Sequence, residues 1–122
     1  MANYNGSSAF TIPRPIRIKD GINKETIVGT KTLTYSDSQI QAITPSGGSR
    51  IIVLPAIKDG AYFTIVNLDS SNTLTVHTPA GVGLATLLAN SSVTPVASGV
   101  NCFCNGALWI GIHFNCSIGF SA

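Results

Sequence analysis

Arg50-Ile51-Ile52-Val53-Leu54-Pro55-Ala56-Ile57-Lys58-Asp59-Gly60-Ala61-Tyr62-Phe63-Thr64-Ile65-Val66-Asn67-Leu68 holds two short apolar runs on either side of a turn signal. Pro55 stops the first run, because proline has no N–H to give a sheet ladder. Lys58-Asp59-Gly60 reads as a hairpin turn, since Asp-Gly readily takes the positive φ that tight turns need. The second run, Ala61 to Leu68, is rich in β-branched and aromatic residues and reads as a strand.

The same grammar continues on both sides. Asp69-Ser70-Ser71-Asn72 is a polar turn, followed by Thr73 to Thr78, where Leu74 and Val76 face one way and Thr73, Thr75 and His77 the other. Pro79-Ala80-Gly81 turns again. Val93–Val96, Cys102–Cys104 and Leu108–Phe114 read as further strands, separated by Ser98-Gly99 and Asn105-Gly106. Val82 to Ala89 stays open: Leu84, Leu87 and Leu88 fit a helical turn, while Gly81, Gly83 and Asn90 favour strand and turn. No sustained amphipathic helix, tandem repeat or low-complexity tract is visible. The expectation is an all-β domain, a small barrel or sandwich, over residues 31–122.

Residues 1–30 read differently, as an extended N-terminal arm. Pro13 and Pro15 exclude helix and favour a strip laid along another surface. Ile12, Ile16 and Ile18 share one side of that strip, and Pro13, Pro15, Arg17 and Lys19 the other. With Arg14, these isoleucines and basic residues are the candidate contacts of a docking arm. Solvated tails usually lack such isoleucines.

Charge is distributed unevenly. Only 10% of the 122 residues are charged, and from Ser70 to Ala122 there is no Asp, Glu, Lys or Arg. Five of the seven basic residues (Arg14, Arg17, Lys19, Lys24 and Lys31) precede Tyr35. Soluble domains ordinarily carry charge at about a quarter of their positions. An uncharged half therefore reads as surface to be covered by an assembly partner. The net charge of +2 is too small, and too scattered, for a nucleic-acid binder. No basic region followed by an apolar run marks a secretory signal, and no stretch approaches the ~18 apolar residues of a membrane helix. No membrane partner is expected, and the chain is expected to be made in the cytoplasm with its cysteines reduced.

Candidate chemistry is sparse. The carboxylates Asp20, Glu25, Asp37, Asp59 and Asp69 stand mostly beside Gly or Ser, where turns want an acceptor, and none forms an acid/base pair by spacing. No Gly-x-Ser-x-Gly elbow or phosphate-binding glycine loop accompanies His77 or His113. An enzyme is not expected, and no cofactor. Cys102, Cys104, His113 and Cys116 are ligand types zinc accepts. Thiols at i and i+2 of a strand lie about 6–7 Å apart, which chelates poorly, so buried reduced cysteines are expected and no metal. Asn5-Gly-Ser, Asn90-Ser-Ser and Asn115-Cys-Ser match the glycosylation sequon but lack a secretory route. In Leu108-Trp109-Ile110-Gly111-Ile112 both faces are apolar, so the strand should be covered twice. A central strand or an oligomer interface would supply that cover. The interface reading takes Trp109, Ile110, Ile112 and Phe114.

Thr32-Leu-Thr-Tyr-Ser-Asp-Ser-Gln-Ile, Ser49-Arg-Ile-Ile-Val-Leu-Pro-Ala, Gly60-Ala-Tyr-Phe-Thr-Ile-Val-Asn-Leu-Asp, Leu74-Thr-Val and Asn105-Gly-Ala-Leu-Trp-Ile together resemble a β-module of tailed-bacteriophage structural proteins. The pattern is most similar to small head decoration, or cement, proteins and spans residues 30–112. Asn115 to Ala122 and the cysteines fall outside it. What the resemblance implies is a homotrimer on the outer surface of an expanded capsid, its partner the major capsid protein, with amino-terminal arms laid over the shell. Related modules in tail fibres and baseplates give the alternative, a receptor-binding module that contacts host glycans.

Overall fold

Every regular element among the described residues is a strand, and the strands alternate between two sheets. The computed structural model describes residues 21–89 and 96–117, with side chains left out at 96, 97 and 115–117. The strands are β1 (Ile22–Ile27), β2 (Lys31–Thr32), β3 (Ile40–Pro45), β4 (Arg50–Val53), β5 (Tyr62–Asn67), β6 (Leu74–His77), β7 (Gly83–Leu87), β8 (Val96–Cys104) and β9 (Trp109–Ser117). One sheet runs β9-β8-β5-β3-β1 and the other β2-β4-β6-β7. The sheets do not close on each other, so the architecture is a sandwich and not a barrel.

Up to β6 the chain crosses from sheet to sheet at each connection, and like strands stack in parallel. β1 pairs with β3 and β3 with β5, while β2 pairs with β4 and β4 with β6. The remaining pairs, β6–β7, β5–β8 and β8–β9, are antiparallel. This winding corrects the hairpin expected at Lys58-Asp59-Gly60. Asp59-Gly60 does turn, with Gly60 at φ 79°. The strands on its two sides nonetheless belong to different sheets, each pairing in parallel with the strand two places away in the chain.

The core lies between the sheets. Ile43, Ile52, Ile65, Leu74, Val76, Leu87, Val100 and Cys102 are fully buried there, and Leu33, Leu54, Phe63 and Trp109 nearly so. Those within strands come from the inward parity of their strand, as the alternation Leu74/Val76 against Thr73/Thr75/His77 requires, and Leu33 and Leu54 directly follow β2 and β4. Two buried amides are satisfied internally. Gln41 Nε2 donates to the Ser38 carbonyl at 2.7 Å and its Oε1 accepts from Asn23 at 2.8 Å. Asn67 donates to the carbonyls of Asn72 and Leu87 at 3.0 Å and accepts from Asp69 N–H at 2.9 Å. Such pairing offsets the cost of burying an amide.

Three further expectations change. Ile22–Ile27, assigned by sequence to the arm, is the outer strand of the larger sheet; its residues Lys24 and Glu25 had masked the alternation. The open stretch 82–89 contains strand β7. Ser98-Gly99, expected to be a turn, lies inside β8, where a Cβ at Gly99 would stand 2.3 Å from the Phe114 ring. The glycine is there so that Phe114 can lie across the strand. The arm residues Ile12, Arg14, Ile16, Arg17, Ile18 and Lys19 lie outside the described residues.

Candidate functional site

Four connections gather at one end of the sandwich: residues 33–39, 54–61, 78–82 and 105–108. The strand directions dictate this, since β1, β3 and β5 begin there, β2, β4 and β6 end there, and β8 turns into β9 there. Gly21, the first described residue, stands at the same end, so the preceding basic segment joins the fold beside these loops.

The loops are fastened to one another. Trp109 Nε1 donates to the Pro55 carbonyl at 3.1 Å, and the Tyr35 hydroxyl donates to the Ala56 carbonyl. Gly60 N–H donates to the Cys104 carbonyl at 2.9 Å, and Cys104 N–H returns a bond to Ala61 at 3.0 Å. Asn105 Oδ1 accepts from Ala107 and Leu108 N–H at 2.9 and 3.0 Å, holding the turn at Gly106 (φ 90°) against Asp59. The rings of Tyr35, Phe63 and Trp109 follow one another at centroid spacings of 6.3 Å, and Lys58 Nζ sits 5.1 Å over the Tyr35 ring. Burial raises the Tyr35 phenol above its ordinary value, so it remains a donor near neutrality.

Each of three loops then presents a large apolar side chain to solvent: Ile57 at 50% exposure, Val82 at 62% and Leu108 at 51%. Between them runs a groove of about 520 Å³, floored by Leu84 and Trp109 and rimmed by Ala56, Thr78 and Pro79, with no charged residue in its lining. The Thr78 polar groups are already engaged, N–H to the Val82 carbonyl at 2.9 Å and Oγ1 from Val82 N–H at 3.2 Å. The groove therefore offers apolar contact without demanding hydrogen bonds. Beside it lies a smaller, polar dent of about 260 Å³ among Tyr35, Asp37, Gln39, Lys58, Asp59 and Tyr62.

A second apolar surface is the outer face of the larger sheet. Pairing places Ile22, Ile40, Thr64, Asn101 and Ile112 in one row, and Tyr62, Phe103 and Ile110 in another. Val66, Gly99 and Phe114 form a third. Tyr62, Thr64 and Asn101 satisfy one another by hydrogen bonds of 2.7–3.1 Å. Among the described residues Lys24 is the sole charge on this face. Parallel strands are ordinarily covered on both sides, and here, among the described residues, only the inner positions of β1, β3 and β5 include fully buried side chains.

Of the residues expected to form an oligomer interface, Ile112 is exposed, and Ile110 and Phe114 are half-buried on this outer face. Trp109 is not with them: it points inward and is 5% exposed. Among the described residues its strand is an edge and not a central strand, so no described strand supplies that second cover. Cys102 and Cys104 are buried free thiols, and burial pushes the Cys102 pKa up to about 12. Among the described residues no three metal-ligating side chains come together. Three of the four described carboxylates are engaged in the fold: Asp37 accepts from Thr34 N–H at 2.7 Å, Asp69 from Asn72 N–H at 2.6 Å, and Glu25 pairs with Lys31 at 2.9 Å, while Asp59 lines the polar dent. The loop-end trio was missed by sequence reading. Its signal was present, an Ile, Val or Leu within two residues of the Pro or Gly of a turn.

No family model matches the chain, and no curated protein or solved structure matches it either.

Proposed function

We propose that this chain is a structural virion protein that decorates the outer surface of an expanded phage capsid and stabilises it without a catalytic step. The observation that carries this reading is the loop end, where apolar side chains from separate connections surround an uncharged groove and the basic arm joins the same end. Beside it stand the residue resemblance to cement proteins and the uncharged half of the chain.

In this reading Ile12, Ile16 and Ile18 anchor the arm on the major capsid protein, Arg14, Arg17 and Lys19 meet acidic shell surface, and the groove takes an apolar side chain from the shell. Two attachments on one chain raise the effective concentration of each for its site. A protein that binds only the expanded lattice adds its binding free energy to that lattice, as RT ln(1 + [L]/Kd) per site. The resemblance implies three copies per decoration unit.

The test is co-sedimentation with undecorated expanded heads. The full chain should pellet with heads. A chain lacking residues 2–20 should stay folded and remain in the supernatant, and Leu108→Asp should weaken binding at least tenfold. Equal binding by the truncated chain, or none by the full chain, would defeat the proposal. The dent at Tyr35 and Tyr62 favours a second reading, a tail-fibre or baseplate module that contacts host glycans. It predicts binding to host cells in place of heads.

A further inference from the structure

Strand β9 is nine residues long, Trp109–Ser117, and forms one edge of the larger sheet. Asn105 N–H donates to the Leu108 carbonyl across the turn at 3.3 Å, while Cys104 N–H points the other way, to the Ala61 carbonyl just before β5. Hydrogen-bonded and non-bonded pairs alternate along an antiparallel ladder. Phe103–Ile110, Asn101–Ile112 and Gly99–Phe114 are therefore bonded pairs, and the N–H and C=O of Trp109, Gly111 and His113 point away from β8. Among the described residues no strand takes them up. Gly111, Ile112 and His113 are all exposed.

Sheet edges are usually blunted by charge, proline, shortness or a bulge. β1 at the opposite edge carries Lys24 and Glu25; β2 is two residues long; the β6–β7 pair has a register shift at Val76/His77. β9 has none of these devices. An exposed uncharged edge of this length is a template for another strand.

We propose that β9 pairs antiparallel with β9 of a second copy of this chain, about a twofold axis through Ile112. The occupant is a second copy because it brings an edge of equal length and no ion, since no charged residue follows Asp69. No charge is then desolvated on either side. The outward backbone groups allow only registers that set odd-numbered positions opposite one another. Among these, the twofold through Ile112 matches the apolar outer-face side chains with one another, Ile112 with Ile112 and Ile110 with Phe114, and sets Trp109 opposite Asn115 and Gly111 opposite His113 in hydrogen-bonded pairs. Four such pairs supply about eight backbone hydrogen bonds. The contact is isologous and closes on itself, so it does not propagate into fibres. It stands apart from the capsid reading, and sets a twofold contact where the resemblance implies a threefold one.

Cysteine cross-linking tests the register in a Cys116→Ser background. Ile112→Cys should form an interchain disulfide under mild oxidation in most of the protein, because facing residues of a non-bonded pair lie about 4.5 Å apart at Cα, within disulfide range. Thr44→Cys, on the same outer face near the other edge, should not. Ile112→Asp should reduce the solution mass to one copy with the circular dichroism spectrum unchanged. Absence of the Ile112→Cys cross-link would overturn the proposal, as would an Ile112→Asp protein that keeps the parent mass. Heads still decorated by a chain that fails to cross-link would leave the function standing and remove this contact alone.

Discussion

Replacing Trp109 by Phe probes whether the loop end is held together as described. Trp109 is the only tryptophan, and its bond to Pro55 spans 54 residues of chain. Phenylalanine keeps an aromatic ring against Phe63 but has no N–H, so the carbonyl of buried Pro55 loses its partner, which costs about 1–3 kcal/mol. The missing part of the indole leaves roughly 40 Å³ unfilled, worth about 1 kcal/mol at about 24 cal/mol per Å³. The sum is about 2–4 kcal/mol, and with a urea slope of about 1–3 kcal/mol/M the midpoint should fall by about 0.7 M or more. Far-UV circular dichroism in urea is the assay, since the fluorescent residue is gone. Amide exchange should also accelerate in residues 54–61, which that bond restrains. A midpoint within about 0.3 M of the parent would refute the reasoning, because neither the buried carbonyl nor the lost volume would then be real.

Asn67→Ala should cost about 3 kcal/mol or more by orphaning the Leu87 carbonyl and the Asp69 N–H, measured by the same urea titration. Cys102 should resist iodoacetamide at pH 8 in the folded protein and react fully in urea, as read by peptide mass, because burial holds its thiol at a pKa of about 12. Hydrogen bonds from Asn23, then Lys31, lower the Glu25 pKa from 4.5. A depressed carboxylate stabilises the fold above its unfolded value, and the gain is lost as pH falls through the folded one. Glu25→Gln should therefore lose a little stability at pH 7, under about 1 kcal/mol for so exposed a pair, and the difference should shrink as pH falls below the ordinary carboxylate range.

The strands themselves were legible because alternation is local. Leu74 and Val76 turn inward as their spacing requires, and Asn105-Gly106 makes its turn. Pairing was not legible, because it is decided between residues far apart in sequence. Asp59-Gly60 announces a change of direction but cannot say which sheet receives the next strand. Gly99 looked like a turn residue because its reason, the Phe114 ring above it, lies in the neighbouring strand. β1 was hidden by Lys24 and Glu25, which face solvent from an edge. Ile57, Val82 and Leu108 are far apart in sequence, and only the common end of their three loops makes them a surface.

An outer sheet face with a single charge, an apolar groove at the loop end and an unblunted edge are all explained if this chain works as a part covered by others. The mass of the full chain in solution, measured by light scattering behind size exclusion over a hundredfold range of concentration, tests that most directly. The account predicts a stable multiple of 12.7 kDa throughout. A mass of one copy that persists to the highest concentration would contradict it.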